Sequence, residues 1–590
     1  MAVTITRVFD LLQYNLEKFP KDEFISGKIA GEWKHYSTKG FCDCVNALSK
    51  GLVDIGIGKE SRVAVMSHNR PEWNISDFAI MQLGAYQVPL YPTLAEHDIQ
   101  FILENAEITV VFVADEVLYK KLKPVCDASN REIQIYTFDK ISGAAHWVML
   151  TEKGRTLDKI DLDSYRKAVT PEDVLTLIYT SGTTGTPKGV MLTHNNLVNN
   201  FVNSAVLLPK GIEKGLSFLP LSHIFERMVV YLYMYCGTSV YYAESMETIV
   251  ADIQHIKPNA FSTVPRLLEK VYEKIMEKGK ALSGAKKALF FWSVGLAETF
   301  EFENNWWYKI KLGVARKLVF KKWQEALGGN ILVIISGGAA LNPRLARIFW
   351  GADMPVFEGY GLTETSPVIT VNHMDNTKFG TVGPAIKGME IKIAEDGEVL
   401  ARGHAIMKGY YRRDDLTAET IDAEGWFHTG DIGQLIDGKF LKITDRKKEI
   451  FKTAGGKYVA PQMIENKFKE TILVEQVMVL GENRKFPSAL MVPNFVALKA
   501  WADKKGITYT SDEQMIKDPH VLEKFQEIVD QSCAEFGKWE QVKRFALLSK
   551  QWSIDGGELT PKLSLKRKVV LEKNAELIEK IYMDAESYKA

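Results

Sequence analysis

Tyr179-Thr-Ser-Gly-Thr-Thr-Gly-Thr-Pro-Lys-Gly189 follows directly on the apolar run that begins Val174-Leu-Thr-Leu-Ile178. Its glycines let backbone N–H groups approach an anion closely, and the hydroxyls around them add further donors. Lys188 contributes a compact positive charge, so the stretch suits a polyphosphate. It is not the P-loop of nucleotide triphosphatases. Pro187 stands where that loop has its second glycine, and Gly189 replaces the hydroxyl residue after the lysine. A plain polar turn between a strand and a helix is the competing reading of any single Gly/Thr-rich loop.

Outward from this loop, short β-rich runs alternate with helical patterns through the first 440 or so residues. The runs Arg62 to Met66, Thr109 to Val113, Val174 to Tyr179 and Ile331 to Ile335 have amphipathic stretches such as Glu72 to Leu83 between them. That alternation predicts α/β architecture: a large multi-subdomain N-terminal domain with mostly parallel sheets flanked by helices. From Met389 to Gly438 the texture changes to short strands and Gly-rich turns, a small β subdomain. After Asp445 a basic run opens a smaller α+β C-terminal domain. The boundary is placed at Lys447, giving domains of residues 1–447 and 448–590.

The chain has 590 residues, too many for one hydrophobic core, and 74 basic side chains balance 74 acidic ones. A net charge of zero removes the bulk electrostatic case for nucleic acid. Five scattered cysteines read as reduced thiols of a cytosolic protein. Val8, Leu11, Leu12 and Leu16 fall at helical spacing, so the N-terminus reads as a docked amphipathic helix and not as a secretory signal. No run approaches the ~18 apolar residues of a membrane span. The expected location is cytoplasmic, with peripheral contact at the inner face of a membrane as a further expectation.

Ser181-Gly-Thr-Thr-Gly-Thr-Pro-Lys-Gly189 resembles the signature loop of the AMP-forming acyl-adenylate superfamily, the AMP-dependent synthetases and ligases. Companion segments match in the family's order: Ser336-Gly-Gly-Ala-Ala-Leu341, Glu358-Gly-Tyr-Gly-Leu-Thr-Glu-Thr365, Thr429-Gly-Asp431, Asp445-Arg-Lys-Lys448 and Gly455-Gly456-Lys-Tyr458. The resemblance implies that Thr180, Ser181, Gly182, Thr183, Thr184 and Gly185 cradle the phosphates of ATP, with Lys188 beside them. It places Gly338 and Ala339 against the adenine and the acyl pocket, with Glu358, Gly359 and Gly361 on the nucleotide and Tyr360 stacked on the base. Thr363 then contacts the α-phosphate, and Glu364, with Thr183, holds Mg²⁺. Asp431 and Arg446 take the ribose, for which an ionised carboxylate offers two acceptor oxygens. Lys448 is the hinge, and Gly455 and Gly456 line the thiol channel.

Near the C-terminus, Leu559-Thr-Pro-Lys-Leu-Ser-Leu-Lys566-Arg-Lys568 resembles the segment carrying the family's catalytic lysine. The resemblance puts that lysine at Lys566. The chain departs from the commoner form, because Leu565 stands where glycine is usual, and Lys562 and Lys568 compete for the role. Leu219-Pro-Leu-Ser-His-Ile-Phe-Glu-Arg227 is similar to the acyl-pocket segment of long-chain fatty acyl-CoA synthetases, which makes His223 a pocket or gate residue.

The expected reaction is therefore ATP-dependent adenylation of a fatty acid, followed by transfer of the acyl group to coenzyme A. An enzyme loading a carrier protein, and an inactive lipid-binding sensor on the same fold, are the alternatives. Between 275 and 329, Leu289-Phe-Phe-Trp292 and Trp306-Trp307 are interleaved with lysines. Two readings stay open for it: an interfacial helix admitting a lipid substrate, and a core-packed hairpin with a solvated basic face. Oligomeric state is open, a homodimer included.

Overall fold

β-branched runs bounded by turns are placed in two large sheets of the computed structural model, which describes residues 4–29, 31–181, 186–245, 248–553, 556–559 and 565–583. The chain divides into two compact units. The first comprises residues 1–392, 400–429 and 435–441, and the second 393–399, 430–434 and 442–590.

The first unit contains two eight-stranded sheets. One runs in the order Gly409–Tyr410, Pro187–Thr193, Val174–Ser181, Tyr86–Leu90, Arg62–Met66, Val110–Val113, Gln134–Thr137 and Ala145–His146. Its pairs are parallel except at the end built by Gly409–Tyr410 and Pro187–Thr193. The other runs Val368–Val371, Val356–Gly361, Val333–Ser336, Ala260–Thr263, Lys214–Ser217, Ser239–Tyr242, Ile25–Ile29 and Glu32–Tyr36, parallel inside and antiparallel at both edges. Met389–Ile393, Glu398–Gly403, Phe427–Ile436 and Phe440–Arg446 form a four-stranded sheet, as the short strands and turns there predict.

One expectation is corrected and one competing reading is set aside. The stretch Glu72 to Leu83, read as amphipathic, is the helix Pro71–Met81, and every one of its residues is buried. It packs on strands of both large sheets, so water reaches no side of it. Its polar residues are answered internally: Asp77 meets Arg227, and Glu72 takes a 2.9 Å bond from Arg70. The phosphate loop, for which a strand-to-helix turn was the competing reading, instead joins two antiparallel strands. Val174–Ser181 pairs with Pro187–Thr193, down to Thr180 opposite Lys188 and Ser181 opposite Pro187.

The second unit has its own apolar interior. A three-stranded sheet, Val474–Leu480, Ser488–Pro493 and Arg544–Leu547, packs with the helices Pro461–Phe468 and Pro519–Cys533 around buried Phe468, Val477, Met491 and Phe525.

Candidate active site

The hairpin fixes Lys188 in a strand, not in a free loop. Its partner is Thr180, the next pair, Ser181 with Pro187, closes the ladder, and residues 182–185 lie outside the described residues. Gly182, Thr183, Thr184 and Gly185 therefore receive no geometry, nor does the side chain of Ser181. What the structure gives is the frame that presents them. Thr176, in the strand leading to the loop, accepts a 2.8 Å bond from the fully buried Arg227, whose guanidinium also grips Asp77. Tyr231 donates to the same carboxylate at 2.5 Å. A buried charge pair held by several hydrogen bonds is strongly destabilising to break from one side, so this strand is firmly placed.

After the loop, Thr193 caps the helix His194–Ala205 in a reciprocal box with Asn196. The run of asparagines along this helix has a use. The Asn196 amide donates to the carbonyls of His404 and Ile406 at 2.7 and 2.9 Å, and the Asn200 amide to that of Val368 at 2.9 Å. These bonds tie two distant segments to the loop's helix. Tyr411 completes the tie by donating its N–H to the Gly189 carbonyl at 2.7 Å.

As a result Lys188 and Glu364 meet around one aromatic ring. The Lys188 ammonium lies 5.1 Å from the centroid of Tyr410, within cation–π range. The Tyr410 hydroxyl donates to Glu364 Oε1 at 2.9 Å. Burial, with the Glu364 carboxylate second, pushes the Tyr410 phenol well up, so it stays a donor. Met407 N–H donates to the Glu364 carbonyl at 2.8 Å, and Thr363 beside it is buried. The Glu364 Oε2 atom has no hydrogen-bond partner among the described residues. Tyr410 was missed in the sequence. It sits in a two-residue strand, and nothing in its neighbours announces a role.

Thr263 and Ser336 end their parallel strands in register with each other and with Glu358 of the next strand, at the edge where open α/β sheets bind ligands. Glu358 is 6% exposed, and burial pushes its carboxyl up to about 8, against a pull from the Leu341 N–H. At neutral pH it is protonated and offers an O–H to a base or hydroxyl. The Ser336 Oγ is buried without a hydrogen-bond partner among the described residues. Gly338, at φ +81°, and Ala339 are exposed beyond it, and Gly359, Tyr360 and Gly361 are on the neighbouring strand. A Cβ on Gly337 would sit 3.2 Å from the Phe225 ring, so this edge also abuts the start of the helix Ile224–Tyr235. His223 caps that helix, its Nδ1 accepting from Phe225 N–H at 3.0 Å.

In the second unit Arg446 Nε lies 2.8 Å from Asp431 Oδ1, with the Asp431 side chain nearly buried. The adjoining charges are engaged too: Lys447 pairs with Asp396 at 2.6 Å and Glu398 at 2.8 Å. Asp445 accepts from the N–H groups of Arg446 and Gln462, and burial, reinforced by Glu449 and Glu465, raises its carboxyl to about 7. Lys448 is exposed, and Gly455 and Gly456 form the tip of the hairpin between Phe451–Lys452 and Tyr458–Val459. Lys566 is exposed immediately before the helix Arg567–Lys573. Its neighbour Arg567 bonds Glu449 at 3.1 Å, Glu465 at 2.5 Å and the Val479 carbonyl at 2.9 Å. Lys568 is 90% exposed, and Lys562 lies outside the described residues.

Of the residues singled out in the sequence, the first unit thus brings Lys188 and Glu364 together around Tyr410, and the second pairs Asp431 with Arg446. The chain belongs to the AMP-binding enzyme family, matching it over residues 12–411, with the family's C-terminal domain matched over 449–586. It is 34% identical to a long-chain-fatty-acid–CoA ligase of Mycobacterium tuberculosis, covering 94% of this chain and 93% of that protein. It is 32% identical to long-chain-fatty-acid–CoA ligase 5 of Mus musculus, over 91% and 82% of the two chains. In fold it is similar to the adenylation domain of a carboxylate reductase from Mycobacterium chelonae, at a TM-score of 0.74 and 23% identity, covering 98% of this chain and 91% of that one.

Proposed function

We propose that this chain is a long-chain fatty acid–CoA ligase of the AMP-forming type. The observation that carries the reading is the juxtaposition of Lys188 and Glu364 around Tyr410, directly at the base of the phosphate loop. Its relatives' names and the family match support the same activity.

In the first half-reaction a carboxylate oxygen attacks the α-phosphorus of ATP, the bond to the bridging oxygen breaks, and pyrophosphate leaves with that electron pair. Negative charge gathers on the phosphoryl oxygens, and preorganised donors and cations favour it most when fixed beforehand. Lys188, held by its strand, the donors of the 181–185 loop and Lys566 take that role. Thr363 meets the α-phosphate, Asp431 with Arg446 holds the ribose, and the protonated Glu358 and Tyr360 take the base. In the second half-reaction the coenzyme A thiolate attacks the acyl carbon, the mixed anhydride breaks, and AMP leaves. Gly455 and Gly456 line that thiol's path after the C-terminal domain, residues 448–590, turns about Lys448.

Glu364 fits a magnesium site. Mg²⁺ binds through one or two carboxylates plus substrate phosphates and waters, and Oε2 is the available oxygen; among the described residues no cluster of three acidic, His or Cys side chains supplies a protein-only cage. Glu364, with Thr183, would hold the ion, which would neutralise phosphate charge. No described helix is long and apolar enough to cross a membrane, and we place peripheral membrane contact in residues 275–329.

The test is AMP and pyrophosphate release from ATP with saturated acids of eight to twenty carbons, with and without coenzyme A. AMP production that depends on both a long-chain acid and coenzyme A is expected. Absence of acid-dependent pyrophosphate release overturns the reading.

A further inference from the structure

Residues 265–326 form four helical segments: Pro265–Lys280, Gly284–Glu298, Trp306–Ala315 with its wider turn Arg316–Phe320, and Lys321–Ala326. Nine of the twenty-four exposed large apolar side chains among the described residues fall between Leu282 and Leu318, about a sixteenth of the chain. Trp307, Ile310, Val314 and Leu318 recur at steps of three or four and so share one outward stripe. Trp306 and Trp307 are 60% and 59% exposed and stack at 3.9 Å, while Phe291 and Trp292 are exposed on the preceding helix.

This stripe has no way to turn inward. The opposite side of the same helix is already spent on the core: Leu312, Ala315, Val319 and Phe320 are buried with Phe290 and Val294. The connection between the two helices is pinned as well, since Phe302 stacks on Phe379 at 5.6 Å and meets Trp350 edge-on at 5.0 Å. A fixed, contiguous apolar face of this kind marks an interaction surface.

Charge selects the partner. From Lys278 to Gly329 there are ten lysine or arginine residues and four glutamates. Two of the glutamates are neutralised from elsewhere in the unit, Glu298 by Arg344 and Glu301 by Arg347. Lys309, Lys311, Lys317, Lys321 and Lys322 flank the stripe on the same helical stretch and have no carboxylate partner among the described residues. Indole and aliphatic groups rimmed by unpaired lysines are complementary to a lipid surface bearing negative headgroups.

We infer that the outer face of the helices Gly284–Glu298 and Trp306–Ala315 docks in the plane of an anionic lipid bilayer. The inference deepens the fatty-acid reading, on which its purpose rests. The helix Pro265–Lys280 starts at Val264, 4.0 Å from where a Cβ on Gly338 would lie. Its 16 residues span ~24 Å, which connects this surface to the candidate acyl pocket.

The experiment is flotation of the full chain with vesicles of phosphatidylcholine alone, and of phosphatidylcholine with phosphatidylglycerol in equal parts. Two triple variants accompany it, Trp307→Ser/Ile310→Ser/Leu318→Ser and Lys309→Glu/Lys311→Glu/Lys317→Glu. All six side chains are exposed, and circular dichroism checks that each variant is folded. Binding to the phosphatidylglycerol vesicles, weakened by salt and reduced at least about tenfold in both variants, is expected. Failure of the wild type to float with these vesicles overturns the inference, as does equal flotation of either variant. So does self-association without vesicles that the serine variant abolishes, because the face would then cover a second copy. AMP formation from palmitate carried on serum albumin, with no vesicles present, is measured in parallel. Its absence in the wild type sinks the ligase reading while leaving the docking result to be judged by flotation.

Discussion

Tyr410 stands between a cation and an anion that the proposed mechanism assigns to the triphosphate. Its hydroxyl orients Glu364, and its ring face offers Lys188 a resting place. Tyr410→Phe keeps the ring and removes the donor, deleting one hydrogen bond to a charged group, a contribution of about 1.5–3 kcal/mol. The expected result is a loss of roughly tenfold or more in kcat/KM for ATP, larger than the accompanying fall in melting temperature accounts for at the assay temperature. Unchanged kinetics would remove Tyr410 from the site. A second residue acts on stability instead. Glu226 is fully buried, Ser262 donates to it, and burial pushes its carboxyl up to about 7 from an ordinary 4.5. A carboxyl raised in the folded state binds its proton more tightly there than in the unfolded chain. Its contribution is thus complete below pH ~4.5 and lost as pH rises through 7. Glu226→Gln cannot ionise, so its melting temperature should fall less than the wild type's between pH 5 and pH 8. Parallel curves for the two proteins would show that Glu226 is not the titrating group.

At the scale of elements, short β-branched runs and Gly-rich turns were legible because period and composition report on local structure. Arg62–Met66 and the strands Met389–Ile393, Glu398–Gly403 and Phe427–Ile436 emerge where their patterns put them, while the sheet's fourth strand, Phe440–Arg446, lies past the expected end at Gly438. What could not be read was set by tertiary neighbours. The helix Pro71–Met81 carries Glu72 and Asp77 like an exposed face, yet Arg70 and Arg227 neutralise them inside. The charge pattern was correct and the solvent was absent. Likewise nothing local says that Val190 will pair with Tyr410 some 220 residues on. Arg567 is a third case, one more basic residue in a basic run until Glu449, Glu465 and the Val479 carbonyl surround it. That clamp fixes the start of the helix Arg567–Lys573 and hence where Lys566 projects. Arg567→Ala should therefore slow adenylation by about tenfold or more while sparing thioester formation from supplied acyl-adenylate. Arg567→Lys should recover little, since an ammonium does not reproduce the guanidinium's several directed bonds. A merely structural role would depress both half-reactions together, and that outcome would overturn the positioning assignment.

On the scale of the whole molecule, the groups assigned to the triphosphate are shared between two units with separate interiors. Lys188, Thr363 and Glu364 are built into the first, whereas Asp431, Arg446 and Lys566 belong to the second. For a catalyst with two half-reactions at one carbon, the proposed turn about Lys448 moves Lys566, which follows it in the chain, whereas Asp431 and Arg446 precede it and are assigned to hold the ribose. The consequence is a separation that no single-domain site would show. Lys566→Ala should abolish pyrophosphate release with palmitate and ATP, yet turn supplied palmitoyl-adenylate and coenzyme A into thioester at close to the wild-type rate. Lys568→Ala, at a side chain 90% exposed and 4.0 Å from Glu572, should leave both rates within about twofold. If the two variants exchange behaviour, the catalytic register shifts by two residues and the Arg567 clamp loses its purpose. If Lys566→Ala impairs both halves equally, the second unit acts as one rigid wall of the site, and the turn about Lys448 is not how the chain changes reactions.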